Sequence, residues 1–358
     1  MSVVEMDLET LLKILFIVTV TFTFVALIIP FIIKLAFSIG AIDVPRERHI
    51  HTKDMPKLGG LGIFFGFLLG YMLFGQPSTQ MISILIGSFI ILIVGIVDDI
   101  TELKASTQFL FQLIAACIVV FYGQILLVDL SAFGFYIHFG ILCYPLTILF
   151  ILGCINCINL IDGLDGLSGG ISSIYFLTIG IIATLQGSRG LDFVLCFVML
   201  GSTLGFLVHN FHPAKIFAGN SGSMFLGFII ACIALLGFKN VTMTSLIIPL
   251  LVLAIPILDT LFAIIRRALK GENISKADKF HIHHQLLNRN FSPTTTVLII
   301  YVIDLLFAAA SVIYITKYRD IGYILYGILL IIVILFVAKT NVIMDDDQKK
   351  KLFHKKQK

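Results

Sequence analysis

Residues 81–99 read MISILIGSFIILIVGIVDD, seventeen residues without a formal charge closed by Asp98 and Asp99. An uncharged apolar stretch of this size is what a helix needs to cross roughly 30 Å of hydrocarbon. The paired carboxylates at its end stand where charge is expensive, so they require a cation, a basic partner or water. The same pattern recurs on both sides of this stretch. Eleven spans are predicted, at about 11–37, 58–74, 81–97, 107–128, 141–159, 166–184, 191–208, 222–238, 243–265, 295–316 and 321–338. The first is preceded by Glu5, Asp7 and Glu9 rather than by basic residues and is too long for a signal-peptide core, so it reads as a retained span. The expectation is an all-α, polytopic integral membrane protein with about eleven transmembrane helices. Residues 1–340 are expected to form a single transmembrane domain and 341–358 a basic tail.

Composition agrees. Of 358 residues only 13% are charged, about half the share usual in soluble domains. That excludes an ordinary soluble enzyme, a disordered tail protein and a nucleic-acid binder. The six Cys lie in apolar surroundings and read as reduced, packed thiols. Lys and Arg set the orientation, because cytoplasmic loops carry their excess. With the N-terminus outside, 19 fall in inward segments and 4 in outward ones. The C-terminus is then cytoplasmic, and the basic tail KKKLFHKKQK can meet anionic lipid.

The polar clusters fall on that same inward side. Mg²⁺ suits Asp98 and Asp99, since it is held by one or two carboxylates while keeping water and phosphate ligands; otherwise the pair merely stops a helix. In NCINLIDGLDGLSGG, residues Asn156, Asn159, Asp162 and Asp165 recur every three positions, so neighbours share a helix face. Amide and carboxylate oxygens are hard donors for Mg²⁺ or sugar hydroxyls, while Asn can also be glue between spans. Gly219, Gly222 and Ser223 open an apolar helix whose N–H groups favour anions. His281, His283 and His284 lie in a basic loop without Cys, which points to phosphate rather than zinc.

In order, the motifs PKLGGLGIF, VGIVDD, NCINLIDGLDGL, NFHPAKIFAGNSGS, PILDTLFAIIRR and HIHHQL resemble the bacterial polyprenyl-phosphate N-acetylhexosamine-1-phosphate transferases, over about residues 10–340. The resemblance implies transfer of GlcNAc-1-phosphate from UDP-GlcNAc to undecaprenyl phosphate with release of UMP, using Mg²⁺, with Mn²⁺ as an alternative. It implies an active site on the cytoplasmic face, a lipid-linked precursor of a cell-surface polysaccharide such as teichoic acid or O-antigen, and it admits a homodimer. Carried over by position, Asp98 and Asp99 sit by the lipid phosphate and Asn159 resembles a metal ligand. Asn156, Asp162 and Asp165 resemble nucleotide-site or catalytic residues. His281, His283 and His284 resemble diphosphate and sugar contacts, and Asp259 supports the site from within its span.

Two positions depart from the family pattern. Gly219-Asn220-Ser221-Gly222-Ser223 stands where G-D-x-G-S is usual, so at the expected metal ligand Asn220 offers an amide oxygen that can still coordinate but brings no charge. Gln108 stands where a basic residue is usual, leaving Lys57 or Lys104 for the lipid phosphate. A phosphate monoester is largely dianionic at neutral pH, so single displacement needs no strong base from Asp98. Two other readings are a transporter with a buried acidic relay and a homologue impaired by Asn220. Asp304, inside the tenth span, matches none of these roles.

Overall fold

The computed structural model describes residues 7–44, 54–132, 135–237, 247–271, 280–316 and 318–338. The tail 341–358, and with it part of the basic inward set (Arg46, Arg48, Lys53, Lys276 and Lys279), lies outside the described residues. The chain is built from helices: α1 (Leu8–Ile39), α2 (Gly59–Phe74), α3 (Thr79–Thr101), α4 (Ala105–Cys117, continued by a π-helical turn Ile118–Tyr122), α5 (Cys143–Ile161), α6 (Leu167–Leu185), α7 (Leu191–Asn210), α8 (Gly219–Gly237), α9 (Ile247–Val252), α10 (Ala254–Lys270), α11 (Ile282–Leu287), α12 (Pro293–Ile315) and α13 (Arg319–Ala338). Two short antiparallel hairpins complete it, β1 (Ile42–Asp43) with β2 (Met55–Pro56), and β3 (Asp129–Ala132) with β4 (Phe135–His138).

Among the described residues nine helices are long and apolar enough to cross a membrane. The two remaining predicted spans differ in a physical way. The run at 58–74 forms α2, only 16 residues, or about 24 Å at 1.5 Å per residue. The run at 243–265 is broken at Leu253 between α9 and α10. Pro256 explains the break, because it has no N–H to offer the Val252 carbonyl and its ring clashes with that group in a continuous helix.

The helices sort into a buried centre and an exposed rim. The most hydrophobic 18-residue windows of α6 and α8 are each 89% buried, against 22% in α13 and 28% in α1. An all-round apolar helix with a fully covered surface is the centre of a bundle, whereas apolar side chains left open suit a lipid-facing rim. Around α8 the packing is aromatic on the α2 side, where Phe64 and Phe67 each meet the Phe225 ring edge-on at 5.5 Å. On the α3 side it is backbone against backbone. A side chain at Gly95 would collide with the Ser221 Cα and lie 2.5 Å from the Ser221 nitrogen, so only glycine lets α3 lie this close to the start of α8. That contact brings the acidic end of α3 to the first turn of α8. All six Cys are unpaired, and four are fully buried.

Candidate functional site

The ends of α3, α5 and α8 meet the β1–β2 hairpin and the segment 210–218 around a cavity of about 680 Å³. Its wall carries Asp99, Asn159, Asp162, Asp165, Asn220, Lys57 and His284 from the expected set. It also carries Asp43, Asn210 and His212, which the sequence reading passed over. Asp98, Asn156, His281, His283 and Lys104 stand outside the lining.

Each placement has a local cause. Asp99 caps α8: its Oδ1 accepts the Asn220 N–H at 2.8 Å and its Oδ2 the Ser221 N–H at 3.1 Å. A carboxylate here answers both the unpaired N–H groups and the positive end of the helix dipole. Asp98, one residue earlier on the helix, points elsewhere. Its Oδ1 accepts from the Leu103 N–H at 2.6 Å and from Gln108 Nε2 at 2.8 Å. Its Oδ2 accepts from Asn220 Nδ2 at 2.5 Å. Gln108 therefore serves Asp98 as a neutral donor, and both Asp98 oxygens are engaged by protein groups. Asn156 turns toward α4, donating to Gln112 Oε1 at 3.0 Å and to the Leu152 carbonyl. Lys104 is the exposed N-cap residue of α4.

The loop after α5 is the floor. Asn159 Oδ1 accepts from Ser223 Oγ at 2.6 Å, tying α5 to α8. Asp162 ends α5, and its Oδ1 accepts from Ser168 Oγ at 2.5 Å. Burial pushes the Asp162 carboxyl up to about 6, with the Asp165 charge adding to the shift. Asp165 Oδ2 faces His212 Nδ1 at 2.8 Å and accepts the Ala214 N–H at 3.1 Å. Asn210 accepts the Gly166 N–H and donates to the Ile216 carbonyl, so it joins floor to side wall. Gly219 has φ +72°, and a side chain there would strike the Lys57 carbonyl and approach Asp99 Oδ2 to 2.5 Å. Lys57, the one Lys or Arg on the wall among the described residues, pairs with Asp43 at 3.3 Å.

The wall therefore presents hard oxygen donors and one ammonium. Among the described residues no group of three His, Cys, Asp or Glu is close enough to hold a metal alone. Mg²⁺ does not require such a cage; one or two carboxylates, with waters and substrate phosphates completing the octahedron, suffice. A carboxyl raised by burial, as at Asp162, is a group that a cation would return to its anionic form. The donor set thus fits Mg²⁺ shared with a bound phosphate.

The sequence profile described as Glycosyl transferase family 4 matches residues 81–238, which hold most of the cavity. The chain is 40% identical over 310 residues to a Bacillus subtilis protein named probable undecaprenyl-phosphate N-acetylglucosaminyl 1-phosphate transferase, covering 85% of this chain and 86% of the relative. It is 33% identical over 330 residues to a Mycobacterium tuberculosis decaprenyl-phosphate N-acetylglucosaminephosphotransferase, covering 83% and 81%. It is 28% identical over 301 residues to an Escherichia coli undecaprenyl-phosphate alpha-N-acetylglucosaminyl 1-phosphate transferase, covering 82% and 81%.

Proposed function

Because the chain belongs to glycosyl transferase family 4, whose relatives are polyprenyl-phosphate N-acetylglucosamine 1-phosphate transferases, we propose that it transfers GlcNAc-1-phosphate from UDP-GlcNAc to undecaprenyl phosphate. UMP leaves, and the product is a lipid-linked precursor of a cell-surface polysaccharide. The observation that supports this reading is the cavity itself, where carboxylates, amides and Lys57 gather at one end of a membrane bundle. A water-soluble nucleotide sugar and a lipid phosphate can meet only at such an end. The positive-inside count supports the cytoplasmic face of the plasma membrane.

The reaction forms a bond from a lipid-phosphate oxygen to the β-phosphorus of UDP-GlcNAc and breaks the bond from that phosphorus to the α-phosphate oxygen. Two anions must approach, so positioning and charge compensation do most of the work. Lys57 supplies a positive charge to the incoming phosphate. Asp162 and Asn159, with Asp99 beside them, would hold Mg²⁺, which when bound neutralises charge on the diphosphate. Asp165 and Asn210 fix the wall by the hydrogen bonds described above. Asp98, held by Leu103, Gln108 and Asn220 and standing outside the cavity lining, organises the start of α8 rather than attacking phosphorus, which favours single displacement by the lipid phosphate.

UMP release from UDP-GlcNAc by the purified protein tests the reading, with and without undecaprenyl phosphate and with Mg²⁺, Mn²⁺ or EDTA. Release that needs both lipid and divalent ion, and that falls about a hundredfold or more in Asp162→Asn, is expected. Release without the lipid acceptor, or none under any condition, would overturn it.

A further inference from the structure

Asp259 lies in α10, 2% exposed, and stands outside the cavity lining. Its two carboxylate oxygens take two donors from the start of α11. Oδ2 faces His281 Nδ1 at 2.8 Å, and Oδ1 accepts the Ile282 N–H at 2.7 Å. A carboxylate only accepts, so His281 must carry a proton on Nδ1. The His281 ring is stacked on His283 with planes 2° apart and centroids at 5.7 Å, and His283 meets His284 at 4.3 Å. His283, itself buried, rests on the backbone beside Asp162: a Cβ at Gly163 would lie 2.6 Å from its Nε2. His284, the next residue, is on the cavity wall. Contacts thus run without a gap from a carboxylate in α10 to both the floor and the side of the cavity.

We infer that Asp259 is a positioning residue for the transfer reaction, setting the His281 tautomer and the seat of α11 so that His283 bears on the Gly163 peptide and His284 faces the cavity. It touches no reacting atom. The inference rests on the transferase reading only for its kinetic readout; the tautomer is independent of it.

Asp259→Asn then carries a specific signature. The amide keeps one accepting oxygen and presents an NH₂ in place of the other. If the oxygen serves Ile282, the NH₂ faces His281, whose proton must then move from Nδ1 to Nε2. The test uses the full chain in lipid nanodiscs with ¹⁵N-labelled histidine, the His281 signals being identified by their loss in His281→Gln. In the parent protein Nδ1 is expected to be the protonated nitrogen, and in Asp259→Asn the pattern reverses. UMP turnover in Asp259→Asn should fall by about tenfold or more while the KM for UDP-GlcNAc stays within about twofold. Gly163→Ala presses on the same contact from the other side, so the double variant should lose much less than the product of the two single losses. A parent His281 with no proton on Nδ1 overturns the inference without reference to any variant. Unchanged turnover in Asp259→Asn, or losses that simply multiply, also overturns it. A parent protein that releases no UMP would instead strike the transferase reading and leave the tautomer result standing.

Discussion

Replacing Asn220 by Asp exchanges the amide that donates to Asp98 across 2.5 Å for a second carboxylate. Two unit charges about 4 Å apart at an effective dielectric near 20 repel by roughly 4 kcal/mol. The lost hydrogen bond to a charged group adds roughly 1.5–3 kcal/mol. Side-chain rotation or uptake of a proton relieves part of this, leaving a loss of about 2–4 kcal/mol in protein stripped of divalent ions. The same change gives the cavity one more anionic oxygen, so Mg²⁺ should bind the variant more tightly; a ligand at a hundred times its Kd returns about 2.7 kcal/mol. Melting is readable with a thiol-reactive dye, because four of the six unpaired Cys are buried in the fold and the chain has no Trp. In EDTA the variant should melt well below the parent, and excess Mg²⁺ should close most of the gap while moving the parent less. Equal melting in EDTA with equal Mg²⁺ increments would refute the reasoning, since position 220 would then feel neither Asp98 nor the cation.

Gly95→Ala sets a methyl group against the Ser221 backbone, which cannot rotate away; about 3 kcal/mol or more of stability and most UMP release should be lost, and a smaller loss on dye melting would count against the packing described. Asp304→Leu should do the reverse, because Asp304 is fully buried with neither oxygen hydrogen-bonded; a gain of about 1–3 kcal/mol with turnover unchanged is expected from the same melt and assay. His283 is pushed down to about 3 by burial first and the His284 charge second. A lowered histidine contributes stability that is complete above its unfolded value of 6.5 and is lost as pH falls toward 3, so melts between pH 7 and about 4 should steepen relative to His283→Gln.

The membrane fold was legible because length and lack of charge are read directly from the chain, and because the acidic and amide clusters all fall where apolar runs end. The same logic placed Asp99, Asn159, Asp162 and Asn220 together without knowing how the helices pack. Adjacent positions on a helix differ by about 100° in direction, which is why the pair Asp98–Asp99 could not be divided in advance between a residue facing the cavity and one facing Gln108. The break at Leu253 was hidden because Pro256 sits in a run whose average remains apolar, although a proline there was a signal in itself. His212 lay within a motif already singled out, eight residues before Asn220, so it could have been found. Asp43 could not: it reaches the cavity only through its pairing with Met55 in a two-residue hairpin that no periodicity announces.

The cap that Asp99 places on α8 also has a history during synthesis. Asp99 and its donor Asn220 are 121 residues apart in the chain, and Asp98 and the Asn220 amide 122. At roughly 5–20 residues per second the ribosome takes on the order of ten seconds to supply the missing donors. Through that interval α3 is already made, with two carboxylates at its end and nothing from α8 to receive them. The acidic wall of the cavity therefore closes late as the chain enters the bilayer, and a nascent chain stopped short of Asn220 carries its own mark of incompleteness, Asp99 with neither of its donors and Asp98 with only Leu103 and Gln108.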